Sequence, residues 1–357
     1  MVQLRIVMVA WLASPGENLY LNMYVFLHAV MIFAYELDRV HFGLPCKGGA
    51  RMDGTELYRK VILTVSGNKL VKWLSIKYGR KLAGRFIAGD TLDEALDEIE
   101  RLNAKGILVT LDHLGEGITT LDEAAGYREE YLKLVEGIAK REVQSNVSLK
   151  PTQMGMALDP EKAYENIRSV VRKAKEYRNF VRLDMEDSPY TQATIDMTLR
   201  LHKEGLTNVG TVMQAYLFRT EEDVKNLLRA GVNLRLVKGA YKEPGTIAFQ
   251  QKREVIDNYK KLIKMHFDQG SYVAIASHDD NIIDWVKVFA EQSRIDKQDY
   301  EFQMLYGLRM NDQAALAQDG YRIRCYMPYG TMWYPYFTRR LAEKPANLMM
   351  VLKNMFK

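Results

Sequence analysis

The chain has 357 residues, of which 47% are hydrophobic and 27% charged. That balance belongs to a globular protein and excludes general disorder, whose signature is low hydrophobicity. The formal charge of +5 is small against 50 basic and 45 acidic side chains, and the two cysteines are Cys46 and Cys325. Global charge therefore gives no argument for nucleic acid, and a disulfide scaffold, a thiolate zinc site and an iron–sulfur cluster are excluded.

Residues 1–51 are apolar and poor in charge. The run from Leu19 to Leu37 is interrupted only by Asn22, His28 and Glu36. It approaches the roughly 20 residues that a membrane span needs. The segment has three readings: a membrane anchor, a secretory signal, or an upstream extension. Arg5 is the only basic residue ahead of the run and no clean cleavage site follows, which weakens the signal reading. The extension is preferred, because Met52 would serve as an initiator ahead of Asp53.

Residues 52–104 read as N-terminal helices. Over 52–89, Arg59, Lys60, Lys69, Lys72, Lys77, Arg80, Lys81 and Arg85 face only Asp53 and Glu56. Val61, Val65, Leu70, Trp73 and Leu74 are interleaved among the lysines. Such a strip either packs on the rest of the protein or lies on an anionic membrane surface. Residues 91–103 form one more helix.

From there an alternation sets in. Short runs rich in valine, isoleucine and tyrosine read as strands: Ile107–Asp112, Val147–Lys150, Phe180–Met185, Val209–Ala215, Val232–Lys238, Tyr272–Ser277, Tyr300–Leu305 and Tyr321–Met327. Several are nearly apolar until their last residues, as parallel strands buried on both faces are. Stretches of helical period separate them, including Leu121–Lys140, Pro160–Tyr177, Thr191–Lys203 and Glu221–Ala230. Asp159-Pro160 is a start signal, with aspartate as cap and proline in the first turn. Gly205 and Gly231 are stop signals. This is the count and size of a (βα)8 TIM-type barrel, here over residues 105–345, preceded by short helices. A doubly wound sheet is second, because it needs a topological switch. Residues 346–357 form an amphipathic tail containing the apolar strip 348–356.

In a barrel of this kind chemistry sits at the C-terminal strand ends. Those ends carry Asp112-His113, Lys150 with Thr152-Gln153, Asp184 with Glu186-Asp187, Gln214, Arg235 with Lys238 and Tyr241, Ser277-His278, Gln303, and Tyr326. Asp112 and His113 are equally well read as loop caps. Asp279 and Asp280 suit a helix N-terminus. A salt bridge between Lys150 and Asp184 is the structural alternative to a functional role. Arg235 lies between Leu234 and Leu236, and a buried arginine needs a partner, since stranding a charge costs roughly 3–5 kcal/mol. The segment Tyr334–Glu343 reads as a helix with Tyr336, Arg339, Arg340 and Glu343 on one face. Paired guanidinium forks suit a carboxylate. The bland reading is a surface Arg339–Glu343 pair worth roughly 0.3–0.5 kcal/mol. No G-x-G-x-x-G follows a strand, and G-x-x-x-x-G-K-[ST], G-x-S-x-G and H-E-x-x-H are missing. A metal site from His113, Asp184 and His278 is weakly supported, and none is expected.

Taken in order, the segments 147–155 (VSLKPTQMG), 181–187 (VRLDMED), 212–217 (VMQAYL), 235–241 (RLVKGAY), 276–279 (ASHD), 302–307 (FQMLYG), 326–330 (YMPYG) and 336–343 (YFTRRLAE) resemble the proline dehydrogenase family, of the monofunctional bacterial type. The resemblance implies a distorted (βα)8 barrel that holds FAD and oxidises L-proline to delta-1-pyrroline-5-carboxylate, with a membrane quinone as electron acceptor. It assigns substrate contacts to Lys150, Asp184, Tyr241, Leu305, Tyr326, Tyr336, Arg339 and Arg340, with Glu343 holding the arginine pair. It assigns FAD contacts to Asp184, Met185, Gln214, Arg235, Val237, Lys238, Gly239, Ser277 and His278, and catalytic roles to Asp184 and Arg235. Ser277 stands where the family more often has threonine; both supply a hydroxyl. A separate pyrroline-5-carboxylate dehydrogenase would take the product, since the chain is too short for a second enzyme domain. The implied location is the cytoplasm, with peripheral contact at the inner face of the membrane. The rival functions are a Schiff-base aldolase of the same fold, with Lys238 or Lys150 as the amine, and a non-catalytic amino-acid-binding barrel.

Overall fold

The computed structural model describes residues 60, 62–64, 66–67, 72–73, 84–115 and 117–343, apart from the side chains of Arg340 and Glu343. The apolar run Leu19–Leu37, most of the basic strip 52–89 and the tail 346–357 lie outside the described residues. The chain divides into two compact units, Phe86–Thr331 and a second made of Met1–Arg85 with Met332–Lys357.

The larger unit opens with helix α1 (Leu92–Asn103). Thr91 and Glu94 form a capping box at its start, and Ala95, Leu96, Ile99 and Leu102 give it one buried face. Strands and helices then alternate: β1 (Leu108–His113), α2 (Leu121–Lys140), β2 (Ser145–Leu149), α3 (Pro160–Glu176), β3 (Val181–Leu183), α4 (Ser188–Lys203), β4 (Val209–Gln214), α5 (Thr220–Arg229) and β5 (Leu234–Val237). The series continues with α6 (Lys252–Asp268), β6 (Val273–Ala276), α7 (Asp280–Gln292), β7 (Tyr300–Leu305), α8 (Met310–Gln318) and β8 (Ile323–Tyr329). All strand pairs are parallel, and β8 closes on β1. The expected TIM-type barrel is therefore present.

The local signals work as the sequence suggests. Asp159 caps α3 by accepting from the Glu161 and Lys162 amides, with Pro160 in the first turn. Gly205 and Gly231 follow α4 and α5 at φ +77° and +69°, a region that costs a residue with a Cβ more than glycine.

The strands are buried on both faces, as expected of parallel strands, and the two faces differ in chemistry. Val109, Leu111, Val147, Leu149, Leu234, Leu236, Val273 and Ile275 are buried within the main hydrophobic cluster shared with the helices. The alternate positions point into the lumen, where polar side chains stand beside apolar ones such as Val212 and Ala274, both in register with Arg235. Tyr326 of β8 reaches Asp184 beyond β3, and Arg235 of β5 reaches Ser148 of β2. In a closed barrel such distant strands meet only across the interior. The floor of the lumen holds Arg324 of β8 on Glu301 of β7 at 2.9 Å, and Arg182 of β3, which donates to the Asn233 carbonyl at 2.6 Å. Burial, aided by Arg235, lowers the Arg182 guanidinium to about 9. Gly210 makes room for this crossing: a Cβ there would lie 2.1 Å from the Asn233 oxygen and 2.7 Å from Arg182 Nη1. The apolar-looking runs hid an alternation in which single arginines occupy the inward positions.

The second unit contributes helix α9 (Trp333–Glu343). Within that unit the Tyr334 hydroxyl donates to the Ser66 carbonyl at 3.0 Å. Trp333 meets Tyr334 and Phe337 edge-on. No helix among the described residues is long and apolar enough to cross a membrane.

Candidate active site

The C-terminal strand ends bring together most of the residues singled out from sequence. Asp184 follows β3 and is engaged by three others. Its Oδ1 lies 2.8 Å from Arg235 Nη1 and accepts from the Ser148 hydroxyl at 2.6 Å, and its Oδ2 accepts from the Tyr326 hydroxyl at 2.8 Å. Arg235 Nη1 also reaches the Ser148 oxygen at 3.3 Å, and its guanidinium carbon lies 5.3 Å from the Tyr326 ring centre. Burial, with the Asp112 and Asp184 charges, pushes the Tyr326 phenol well up, so it stays a neutral donor. Arg235 is 4% exposed, yet its Nε and Nη2 have no hydrogen-bond partner among the described residues. Most buried polar groups in folded proteins have a hydrogen-bond partner, so these two donors stand out.

Asp184 is taken by Arg235, while Lys150 Nζ lies 3.3 Å from Asp112 Oδ2. Asp112 is thus part of the site and more than a loop cap. Its neighbour His113 stacks on Tyr329 with ring centres 4.9 Å apart. Burial pulls the His113 imidazole down; Lys150 acts the same way and Glu130 opposes it.

A second cluster lines the rim on the β4 to β6 side. Gln214 donates from Nε2 to the Glu186 carbonyl at 3.1 Å, and its buried Oε1 has no partner among the described residues. Met185 is buried. The Val237 and Lys238 carbonyls accept from the Ala215 and Tyr216 amides at 2.8 and 2.9 Å, which ties β5 to the loop after β4. Gly239 has φ +111°, and a Cβ there would lie 2.3 Å from the Tyr216 ring, so backbone can pass where a side chain cannot. Lys238 is ion-paired with Asp279. Burial raises the Asp279 carboxyl, but Lys238 and Asn281 outweigh it and hold it at about 2. Asp279 also caps α7, in line with the helix-start reading. The Asp279 amide donates to the Ser277 hydroxyl at 3.1 Å. The Leu305 amide donates to His278 Nε2 at 3.0 Å, which makes that ring nitrogen an acceptor. Tyr241 is 42% exposed in the segment between β5 and α6.

Helix α9, in the other unit, carries Tyr336, Arg339, Arg340 and Glu343 at helical spacing. The Arg340 and Glu343 side chains lie outside the described residues.

Sequence reading did not assign roles to Ser148, Glu186 or Tyr131. Glu186 accepts from the Thr152 hydroxyl at 2.6 Å and the Thr152 amide at 3.0 Å. Its carboxyl is raised by burial, against those two bonds. Ser148 carried a signal, since it stands at an inward position of β2. Tyr131 carried none, because it belongs to a helix outside the strand ends. No group of three histidine, cysteine or acidic side chains poised for a metal occurs among the described residues.

The chain is similar to known proteins. The family profile described as proline dehydrogenase matches residues 95–352. Proline dehydrogenase 1 of Bacillus subtilis subsp. natto is 43% identical over 302 residues, which is 84% of this chain and 100% of that protein. Proline dehydrogenase of Deinococcus radiodurans is 40% identical over 306 residues, 85% of this chain and 99% of that one. Among solved structures, proline utilization A from Bdellovibrio bacteriovorus, inactivated by N-propargylglycine, superposes with a TM-score of 0.74 at 23% identity. That match covers 96% of this chain and 40% of the other, and it speaks to the fold alone. Profile and identity agree along nearly the whole barrel, and the chain belongs to the proline dehydrogenase family, oxidoreductases of proline catabolism.

Proposed function

We propose that this chain oxidises L-proline to delta-1-pyrroline-5-carboxylate with FAD as its cofactor and passes the electrons to a membrane quinone. The observation that carries the reading is the buried Arg235, anchored by Asp184 with two donor groups left over beside it. The residues present fit a flavin. Arg235 Nε and Nη2 and Gln214 Oε1 are polar atoms awaiting partners, and Gly239 gives close access to backbone. The family pattern assigns FAD to Asp184, Met185, Gln214, Arg235, Val237, Lys238, Gly239, Ser277 and His278. Bound there, FAD would supply the hydride acceptor; the redox chemistry belongs to the cofactor.

The protein's part is charge and placement. Arg235 presents a fixed positive charge in a water-poor lumen, where such preorganised charge is a large term in catalysis. Asp184, Ser148 and Tyr326 hold it. Lys150 and Asp112 add a second pair, so the lumen carries balanced charge around the substrate ring. Arg339 and Arg340 grip the proline carboxylate, Glu343 orients them, and Tyr241, Leu305 and Tyr336 complete the substrate contacts. Proline loses a hydride from a ring carbon beside nitrogen and a proton from the nitrogen, and the C=N bond forms. A separate dehydrogenase consumes the product. Location in the cytoplasm with peripheral membrane contact would suit a quinone acceptor, and the basic strip over 57–85 is the contact to test.

The test is the absorbance spectrum of the purified protein before and after L-proline. A flavin band that bleaches supports the reading. A colourless protein trapped by borohydride with a carbonyl substrate would favour the Schiff-base reading, and a yellow protein that proline leaves unchanged would favour a binding role.

A further inference from the structure

Behind Lys150 stands a set of buried polar groups that the family pattern leaves without a role. Asp112, at the end of β1, is 1% exposed. Its Oδ2 lies 3.3 Å from Lys150 Nζ, and its Oδ1 accepts from the Tyr131 hydroxyl at 3.3 Å. Tyr131 comes from the middle of α2 and is wholly buried. The same hydroxyl lies 3.1 Å from Gln153 Oε1 and 3.5 Å from the His113 carbonyl oxygen. Gln153 Nε2 donates to that carbonyl at 3.0 Å, which fixes the orientation of the amide. A tyrosine placed in a helix core usually needs one acceptor. Here it reaches over the end of β1 into a carboxylate that itself holds a lysine.

We propose that Asp112, held beside Tyr131, is a positioning residue that sets both the place and the proton of Lys150. The inference rests on the reading above in which Lys150 contacts the substrate. A buried carboxylate 3.3 Å from an ammonium stabilises the charged form of that ammonium. Remove its charge, and Lys150 gives up its proton more readily. Tyr131 matters because a carboxylate free to swing would make a variable pair.

Other charged and titratable groups face this pair from each neighbouring element. Asp184 beyond β3 and Tyr326 on β8 act on Asp112, and Arg235 on β5 is bonded to Asp184. Glu186 after β3 and His113 on β1 both feel Lys150. Glu130 on α2 acts on His113, and Tyr329 on β8 acts on Tyr131. Burial raises the Asp112 carboxyl and Asp184 pushes the same way, while Lys150 and Tyr326 oppose them. Lys150 is the foremost influence opposing burial at Asp112, and the dependence runs in both directions.

The experiment follows proline-driven flavin reduction in the holoenzyme by rapid mixing across a pH series, for wild type, Asp112→Asn and Tyr131→Phe. Loss of an anion at this distance moves a titration by about one to three pH units. The midpoint of the pH dependence is expected to fall by that amount in Asp112→Asn. It is expected to fall by less in Tyr131→Phe, where the carboxylate loses one donor and keeps its charge. A purely structural role would lower stability and leave the midpoint in place. Should Asp112→Asn fail to fold, the Tyr131→Phe midpoint decides. A wild-type midpoint in the folded variants overturns the positioning role and leaves the dehydrogenase reading standing. A wild-type flavin that proline fails to reduce at any pH overturns that reading, and this inference with it.

Discussion

Asp184 holds Arg235 from across the barrel, carboxylate Oδ1 to guanidinium Nη1 at 2.8 Å, although 51 positions separate them in the chain. Both are largely withdrawn from water, at 15% and 5% side-chain exposure. A pair in such surroundings is retained only when its remaining groups find partners. Ser148 and Tyr326 serve the carboxylate, and the guanidinium keeps two donors in reserve.

Replacing Arg235 by methionine tests that arrangement. The variant keeps much of the volume, removes the charge and strands Asp184, at a cost of roughly 3–5 kcal/mol. Flavin content should drop, or flavin reduction by proline should slow by roughly 100-fold, the scale seen when one preorganised donor is removed. The flavin-to-protein ratio and the rapid-mixing reduction rate are the measurements. Unchanged values for both would remove Arg235 from the catalytic set.

Arg340→Ala addresses the carboxylate clamp assigned to α9. A hydrogen bond to a charged group contributes about 1.5–3 kcal/mol, so KM for proline should rise roughly 10- to 150-fold. The flavin should stay bound, since the change touches only substrate. Steady-state kinetics with an absorbance scan answers both points. A KM near wild type would sink the assignment.

His266 predicts how stability responds to acid. It is buried in α6, where Nδ1 donates to the Leu262 carbonyl at 2.9 Å and Nε2 has no partner among the described residues. Burial lowers its imidazole from 6.5 to about 4, against the Leu262 bond. Between those values the unfolded chain binds the proton and the folded one does not. Stability is therefore complete above about pH 6.5 and falls as pH drops toward 4, by an amount on the order of 3 kcal/mol. Urea midpoints at pH 7.5 and pH 5 should converge in His266→Leu relative to wild type. An identical pH difference in the two proteins would assign the acid sensitivity elsewhere.

Much of the barrel is legible in the chain. β7 runs over Tyr300–Leu305 and α2 over Leu121–Lys140, the ranges that alternation and helical period indicate. The strand-end residues Lys150, Asp184, Gln214, Lys238 and His278 were legible too, because a barrel offers one rim for chemistry. Their pairing was not. Lys150 and Asp184 are close in the motif order, yet each has another ionic partner. Strand β3 is also shorter than the run Phe180–Met185, spanning Val181–Leu183.

The linear chain by itself determined eight alternating units, their caps and stops, and which residue types stand at the rim. These follow from local propensity and from periods of 2 and 3.6, which are properties of neighbours along the chain. Only the closed barrel decided which polar groups gather in the lumen, that Arg235 meets Asp184, and that Tyr131 on a helix reaches Asp112 behind Lys150. Those contacts join elements far apart in sequence. Their distances depend on strand tilt and closure, which the alternation does not encode.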